Sequence, residues 1–346
     1  MRLPVLDPAR LQRAPRRTRR VDGPFVDRAG RKVGYLRLSI TKACAMRCTY
    51  CRPERIADTQ GEPRLTPGEI SVLVEHLALR HGLHKVRLTG GDPTSRKDLT
   101  EIIGRIARVP GIGDLAMTTN GLTLPKRARE YADAGLKRVN ISLDTLDRER
   151  FAELTGVDGL DRVLKGLDEA ERVGLWPIRL NSVVIRGRNE RDMPSLVRFA
   201  ASRGIEMRFI ELMPMGPLAS KWSERFVPEA QMRANLDPIV RRWTPIEQGH
   251  DAARRFRVEL DDGSAGVVGF ITPMSCNFCA ACNRVRLASD GTLYPCLMDK
   301  PSGTILPALR PRFDPALFDT ILAEGLGQKR DEHPHDGHAV MTHIGG

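Results

Sequence analysis

Aromatic residues are scarce, at 5% of the 346-residue chain. No basic patch is interleaved with stacking side chains, so nothing points to a nucleic-acid platform. Long apolar runs are missing too. No segment approaches the roughly 18 apolar residues that a membrane span needs. No secretory apolar stretch is present either, and the expected location is the cytoplasm, with no membrane partner. Cysteine is too unevenly placed for a disulfide framework: seven residues, an odd number, fall in two clusters. They read as metal ligands in a reducing compartment. Serine is absent from the first twenty residues, which carry Arg2, Arg10, Arg13, Arg16, Arg17, Arg19 and Arg20 among prolines. That composition suits a disordered basic arm over residues 1–23 better than an organellar transit peptide.

The chain is 41% apolar and 28% charged, with a net charge of +12 carried mostly by arginine. Such an excess calls for a polyanionic partner, either nucleic acid or a phosphorylated small molecule. From Tyr35 to about Met213, strand and helix patterns alternate, with strands expected at 35–41, 84–90, 114–119, 137–143, 178–185 and 205–212. The first intervening helix has Thr66 as N-cap, Pro67 in the first turn and Glu69 to complete a capping box. Its buried stripe is Ile70, Leu73, Val74 and Leu77.

Alternation within these strands is informative. Leu36, Leu38 and Ile40 oppose Arg37, Ser39 and Thr41, and Val86 and Leu88 oppose Lys85, Arg87 and Thr89. Arg179 and Asn181 share a face of the fifth strand, and Arg208 comes from the sixth. A closed barrel would fill its interior with branched apolar residues, and a doubly wound sheet would be apolar on both faces. One apolar and one cationic face predict an α/β fold: an incomplete (β/α)6 barrel over 24–215 whose lumen holds an anion. A smaller C-terminal appendage over 216–326 is expected to carry the second cysteine cluster. Within it, 216–227 reads as a loop, 228–242 as a helix, and 254–260 and 265–271 as antiparallel strands. Residues 327–346 read as an extended polar tail, in which His333, His335, His338 and His343 suggest a solvated linker more than a metal site.

Three cysteines in Cys44-Ala-Met-Arg-Cys48-Thr-Tyr-Cys51 follow the first strand. Three thiolates can hold three irons of a [4Fe-4S] cluster and leave the fourth iron open for a ligand. A zinc or redox cysteine set is the weaker alternative. Thr89-Gly90-Gly91-Asp92-Pro93 follows the second strand, and its paired glycines are expected to let backbone approach a ligand closely. Thr118-Thr119-Asn120-Gly121 and Ser142-Leu143-Asp144 end the third and fourth strands, where barrel ligands bind. The second cluster reads Cys276-Asn-Phe-Cys279-Ala-Ala-Cys282-Asn-Arg284-Val285-Arg286, then Cys296. Its spacing fits either a closed four-cysteine zinc site or a second open [4Fe-4S] cluster. Arg284 and Arg286 share a face and suit phosphate or a planar base.

The first motif resembles that of the radical S-adenosylmethionine (SAM) enzymes. Adding Tyr35-Leu-Arg-Leu-Ser-Ile-Thr41, Arg138-Val-Asn-Ile-Ser-Leu-Asp-Thr-Leu146, Arg208-Phe-Ile-Glu-Leu-Met-Pro-Met-Gly216, Phe278-Cys-Ala-Ala-Cys-Asn-Arg-Val-Arg-Leu287 and the terminal Ile344-Gly-Gly346, residues 24–346 resemble the GTP 3′,8-cyclases of molybdenum cofactor biosynthesis. The resemblance implies that Cys44, Cys48 and Cys51 ligate a SAM-binding [4Fe-4S] cluster, and that Cys279, Cys282 and Cys296 ligate a second one facing guanine. It implies SAM contacts from Tyr50, Gly91, Ser142 and Met213, with Asp92 in the place of a glutamate whose carboxylate takes the SAM amino group. GTP would be held by Arg37, Arg87, Thr118, Arg179, Arg284, Val285 and Arg286, with Lys85 and Arg208 nearby. Arg284 and Arg286 would be the catalytic pair. By the same likeness, SAM yields methionine and a 5′-deoxyadenosyl radical, which takes the hydrogen from C3′ of GTP, and C3′ then bonds to C8. The implied partners are GTP, a reducing electron donor and a downstream cyclic pyranopterin monophosphate synthase, and a homodimer is left open.

Departures from the family pattern are Arg179 in place of lysine, Ala43, Ala45, Met46 and Arg52 around the first motif, and the extra Cys276, expected to be a bystander. A radical SAM peptide-modifying enzyme with an auxiliary cluster is the alternative reading. A zinc-stabilised nucleic-acid-binding protein is a weaker one.

Overall fold

The computed structural model describes residues 23–51, 64–247 and 249–334. The basic arm, apart from Gly23, lies outside these residues, as do Arg52 and the terminal glycines. Six strands appear where the sequence pattern puts them: β1 Tyr35–Ser39, β2 Lys85–Thr89, β3 Asp114–Thr119, β4 Arg138–Ser142, β5 Arg179–Val184 and β6 Glu206–Glu211. They pair in order and in parallel, and helices fill the crossovers between them. This is the expected incomplete barrel, with an open sheet.

Helix Pro67–His81 shows how local chemistry sets a boundary. Thr66 Oγ1 accepts from Glu69 N at 3.2 Å, and Glu69 Oε2 accepts from Thr66 N at 2.8 Å, so two otherwise orphaned donors are satisfied. Gly82 ends the helix in the left-handed conformation, at φ 70°. Ile70, Leu73, Val74 and Leu77 are buried against the sheet, as their spacing requires. On the face of β1 toward this helix, Leu36, Leu38 and Ile40 join the same apolar core, leaving Arg37 and Ser39 on the opposite face.

The C-terminal part departs from expectation. Residues 216–227 hold a 3-10 turn, Gly216–Lys221, and a short helix, Trp222–Arg225, instead of a loop. Trp222 drives this: its Nε1 donates to Leu212 O at 2.7 Å and its ring packs on Phe226. The helix expected over 228–242 is only Glu229–Leu236, because Pro238 brings no amide to continue it. The chain turns instead into β7 Val240–Ile246, followed by β8 Ala253–Leu260 and β9 Ala265–Ile271. Then come β10 Arg284–Leu287, β11 Thr292–Tyr294 and β12 Gly303–Thr304.

These six strands extend the barrel sheet at both ends, in the order β12-β11-β10-β1-β2-β3-β4-β5-β6-β9-β8-β7. Both β9 and β10 pair in parallel with their barrel neighbours, β6 and β1. The C-terminal segment is thus not purely antiparallel; it supplies two walls of the lumen. Helix Pro315–Gly327, also missed by the sequence pattern, packs behind β11 and β12. Among the described residues, no helix is long and apolar enough to cross a membrane.

Candidate active site

Register assembles the cationic lumen. Arg286 of β10, Arg37 of β1 and Arg87 of β2 lie side by side, and one layer below them run Arg284, Tyr35, Lys85 and Asp114. Residues of different strands at one level share a face because the side-chain period is two. Burial, reinforced by neighbouring cations, pushes the Arg37, Arg87 and Arg286 guanidiniums down to about 10. Tyr35 sits within this group, 4.8 Å below Lys85 Nζ and 5.7 Å below the Arg284 guanidinium. Burial would raise its phenol, but Arg87, Arg37, Arg284 and Lys85 outweigh it and bring it down to about 7.

All of these except Asp114 line a cavity of about 210 Å³. Cys279, Cys282 and Cys296 lie on its wall, whereas the exposed Cys276 does not. Among the described residues, Arg87 Nε, Arg284 Nε, Thr118 Oγ1, Asn140 Oδ1 and Asn181 Oδ1 are buried with no hydrogen-bond partner. Unsatisfied buried polar atoms are costly, so a polar, anionic occupant suits this space.

A second cavity, of about 150 Å³, lies under the first motif. Cys44, Cys48 and Cys51 converge on it, together with Gly91 and Ser142. Burial, then Asp144 and the sulfurs of Cys51 and Cys44, pushes the Cys48 thiol well up. Sulfurs crowded this closely want a shared cation, which three irons of a cluster would provide. Tyr50 Oη donates to Asp144 Oδ2 at 2.8 Å, and Val183 N donates to Asp144 Oδ1 at 2.9 Å. Burial raises the Asp144 carboxyl to about 6. The two cavities share Tyr50, Thr118, Asn181, Val183 and Ile210, so a ligand in one touches the wall of the other.

Some expected site residues fall elsewhere. Met213 lines the larger cavity and not the smaller. Val285 points its side chain into the apolar core, away from the arginines that flank it. Arg179 does not line the larger cavity; its Nε meets Glu206 Oε2 at 3.3 Å. Gly90 and Gly91 do border the smaller cavity, but their need for glycine has another cause. A Cβ on Gly90 would lie 2.3 Å from Thr41 O, and one on Gly91 2.3 Å from Ala43 O. The close approach is to the backbone leading into the cysteine motif. The Asp92 carboxylate is likewise occupied internally: it accepts from Thr94 N at 2.8 Å, Thr119 Oγ1 at 2.9 Å and Asn120 N at 2.6 Å.

Sequence reasoning passed over several residues. Tyr35 shares Arg37's face by strand alternation, a signal that was available. Asp251 was not foreseeable from its loop; burial would raise its carboxyl, but Arg208, whose Nη2 donates to it at 2.8 Å, holds it far below the usual range. Nor was the support behind the second cysteine set. Lys329 is buried and donates to Cys282 O and Arg284 O, both at 2.9 Å, while Arg31 Nη1 donates to Cys279 O at 2.8 Å. Arg31 is itself fixed by Asp27, Nε to Oδ2 at 2.6 Å. His333 lines the larger cavity, with Nε2 2.5 Å from Pro273 O, so it is not part of a solvated linker. His335, His338 and His343 lie outside the described residues.

Two family models match the chain: the radical SAM superfamily over residues 38–200, and Molybdenum Cofactor Synthesis C over residues 205–335. Over 332 residues it is 37% identical to a GTP 3′,8-cyclase of Agrobacterium fabrum, covering 93% of this chain and 94% of that one. Over 312 residues it is 41% identical to a GTP 3′,8-cyclase of Pelotomaculum thermopropionicum, covering 88% and 93%. The chain belongs to the GTP 3′,8-cyclase family. Being also a radical SAM protein, it takes a [4Fe-4S] cluster and SAM as cofactors. Among solved structures, that of Streptococcus suis SuiB matches with a TM-score of 0.56 at 16% identity, over 84% of this chain and 65% of that one. That likeness is one of fold.

Proposed function

We propose that this chain converts GTP to (8S)-3′,8-cyclo-7,8-dihydroguanosine 5′-triphosphate, the first step of molybdenum cofactor biosynthesis. The observation that carries the reading is the shared wall between a cysteine-lined cavity and a larger cationic one that holds a second cysteine set. Cys44, Cys48 and Cys51 would hold the SAM cluster, and Cys279, Cys282 and Cys296 a second [4Fe-4S] cluster. When bound, these groups supply reductive cleavage of SAM to a carbon radical and an open iron for the purine.

The protein's own residues bind, orient and exclude water. Arg37, Arg87 and Arg286, packed together at the cost of mutual repulsion, gain most when a triphosphate neutralises them. Arg284 and Arg286 line the same cavity as the second cysteine set and would steer the purine. Thr118 and Asn181, at the shared wall, offer polar atoms to the ribose. Tyr50, Gly91 and Ser142 fit SAM contacts. Met213, from its place on the larger cavity, would meet SAM at the junction. Val285 can contribute only its backbone, and Arg179 reaches GTP only by leaving Glu206. Holding the two reactants in one water-poor space is where such a scaffold gains rate. An electron donor and a consumer of the cyclised product complete the scheme, and the cysteine usage suits a cytoplasmic setting.

The test is anaerobic turnover of the iron–sulfur-reconstituted chain with SAM, dithionite and GTP. 5′-Deoxyadenosine formed only with GTP, together with a cyclised GTP isomer, is the expected result. SAM cleavage with GTP untouched would move the substrate to another class.

A further inference from the structure

Outside the lining of both cavities, helix Pro67–His81 and helix Pro315–Gly327 meet through three side chains. His76 Nε2 lies 2.6 Å and His81 Nε2 2.9 Å from the same oxygen, Asp319 Oδ1. The three donor atoms all lie within 4.8 Å of one another. Aromatic rings wall the group: Phe25 stacks on His81 at 4.0 Å between centroids, and Phe313 and Phe318 stand edge-on to His76. His81 is fully buried, while His76 and Asp319 keep a narrow exposed edge.

The tautomer of His81 gives the group its meaning. Its Nδ1 lies 2.9 Å from Gly23 O, and a carbonyl can only accept. A neutral ring must therefore carry its hydrogen on Nδ1, which leaves an Nε2 lone pair aimed at a carboxylate oxygen. Two lone pairs at that distance repel unless a cation lies between them. An imidazole that donates Nδ1–H to a backbone carbonyl and turns Nε2 toward a carboxylate is also the arrangement that orients metal-bound histidines.

We propose that His76, His81 and Asp319 form a binding site for a divalent cation of the zinc type, distinct from both cysteine sets. Two imidazoles and a carboxylate, with a fourth position toward the exposed edge, match zinc's ligand preferences. Tetrahedral bonds of 2.0–2.1 Å put donor atoms about 3.3 Å apart, so each histidine nitrogen moves about half an ångström from Asp319 Oδ1, while the two nitrogens, within 4.8 Å of each other, settle at that same spacing. The ion would staple helix Pro315–Gly327 to helix Pro67–His81. Lys329, two residues beyond that helix, donates to Cys282 O, so the staple and the brace of the second cysteine set lie on neighbouring segments.

The test is zinc analysis and zinc-edge X-ray absorption on the anaerobically purified, iron–sulfur-loaded enzyme after one equivalent of zinc and desalting. The proposal expects about one zinc per chain, with a nitrogen and oxygen shell near 2.0 Å and no sulfur shell near 2.3 Å. Asp319→Asn and His76→Ala should lose that zinc at unchanged iron content, and zinc should raise the melting temperature of the wild type alone. A sulfur shell places the zinc on vacant cysteines and overturns the proposal. So does the absence of zinc, which would leave a proton as the cation between His81 and Asp319. If the variants fail to fold, the wild-type absorption spectrum decides alone.

Discussion

Arg286 and Arg37 stand directly opposite each other across a parallel strand pair, although they come from opposite ends of the chain. With Arg87 on the next strand they form a row of three guanidiniums, Arg87 and Arg286 buried and Arg37 half-buried. Such a row costs folding energy, which an arriving anion offsets. Arg87→Met should therefore raise the melting temperature of the ligand-free protein while weakening GTP binding about 10- to 100-fold, the loss of a charged hydrogen bond. Calorimetric titration and thermal melts read the two effects. A variant less stable and unchanged in affinity would contradict the assignment.

Tyr35 should make both stability and binding depend on pH. Its folded value, about 7, lies below its ordinary 10. The stabilisation from its ionised form is thus complete above about 10 and is lost as pH falls through 7. Tyr35→Phe should abolish this gain in melting temperature between pH 7 and 10. A tyrosinate also competes with the triphosphate for the same cations, so wild-type GTP affinity should fall as pH rises past 7, and that of Tyr35→Phe should fall less. Parallel pH profiles for the two proteins would refute this.

Lys329 should matter to one cysteine set only. Lys329→Met leaves Cys282 O and Arg284 O without their donor, at about 1–3 kcal/mol for each unsatisfied group. Iron on challenge with a chelator should drop from about eight to about four per chain, the Cys44 set being retained. Equal loss from both sets would contradict the brace.

Most of the fold was legible because period-two alternation and a capping box are local signals. The order of six strands, the N-cap at Thr66 and the polar lumen all follow from them. The parallel return of β10 to β1 was not legible, since nothing near Arg284 encodes which distant edge it joins. The same holds for Lys329 and Asp251, whose partners come from elsewhere in the chain. The role of Gly90 and Gly91 was misplaced for a related reason: sequence shows that a close approach is needed, not what approaches.

Asp92 offers a sharp check on that correction. Asp92→Ala should cost about 2–4 kcal/mol, because Thr94, Thr119 and Asn120 lose their common acceptor. Asp92→Glu should also destabilise, by about 1–3 kcal/mol, since the extra methylene shifts a buried carboxylate away from the donors of Thr94, Thr119 and Asn120. Denaturant unfolding measures both. A glutamate variant as stable as wild type would mean that the carboxylate is free to face a ligand.

The central claim is that GTP lies in the cationic cavity with its ribose at the wall shared with the cysteine-lined one. Turnover with GTP deuterated at C3′ tests it directly, read by mass spectrometry of the 5′-deoxyadenosine released. The account predicts one deuterium transferred per turnover and a cyclised product lacking it. Unlabelled 5′-deoxyadenosine, or label transferred only from another ribose position, would contradict it.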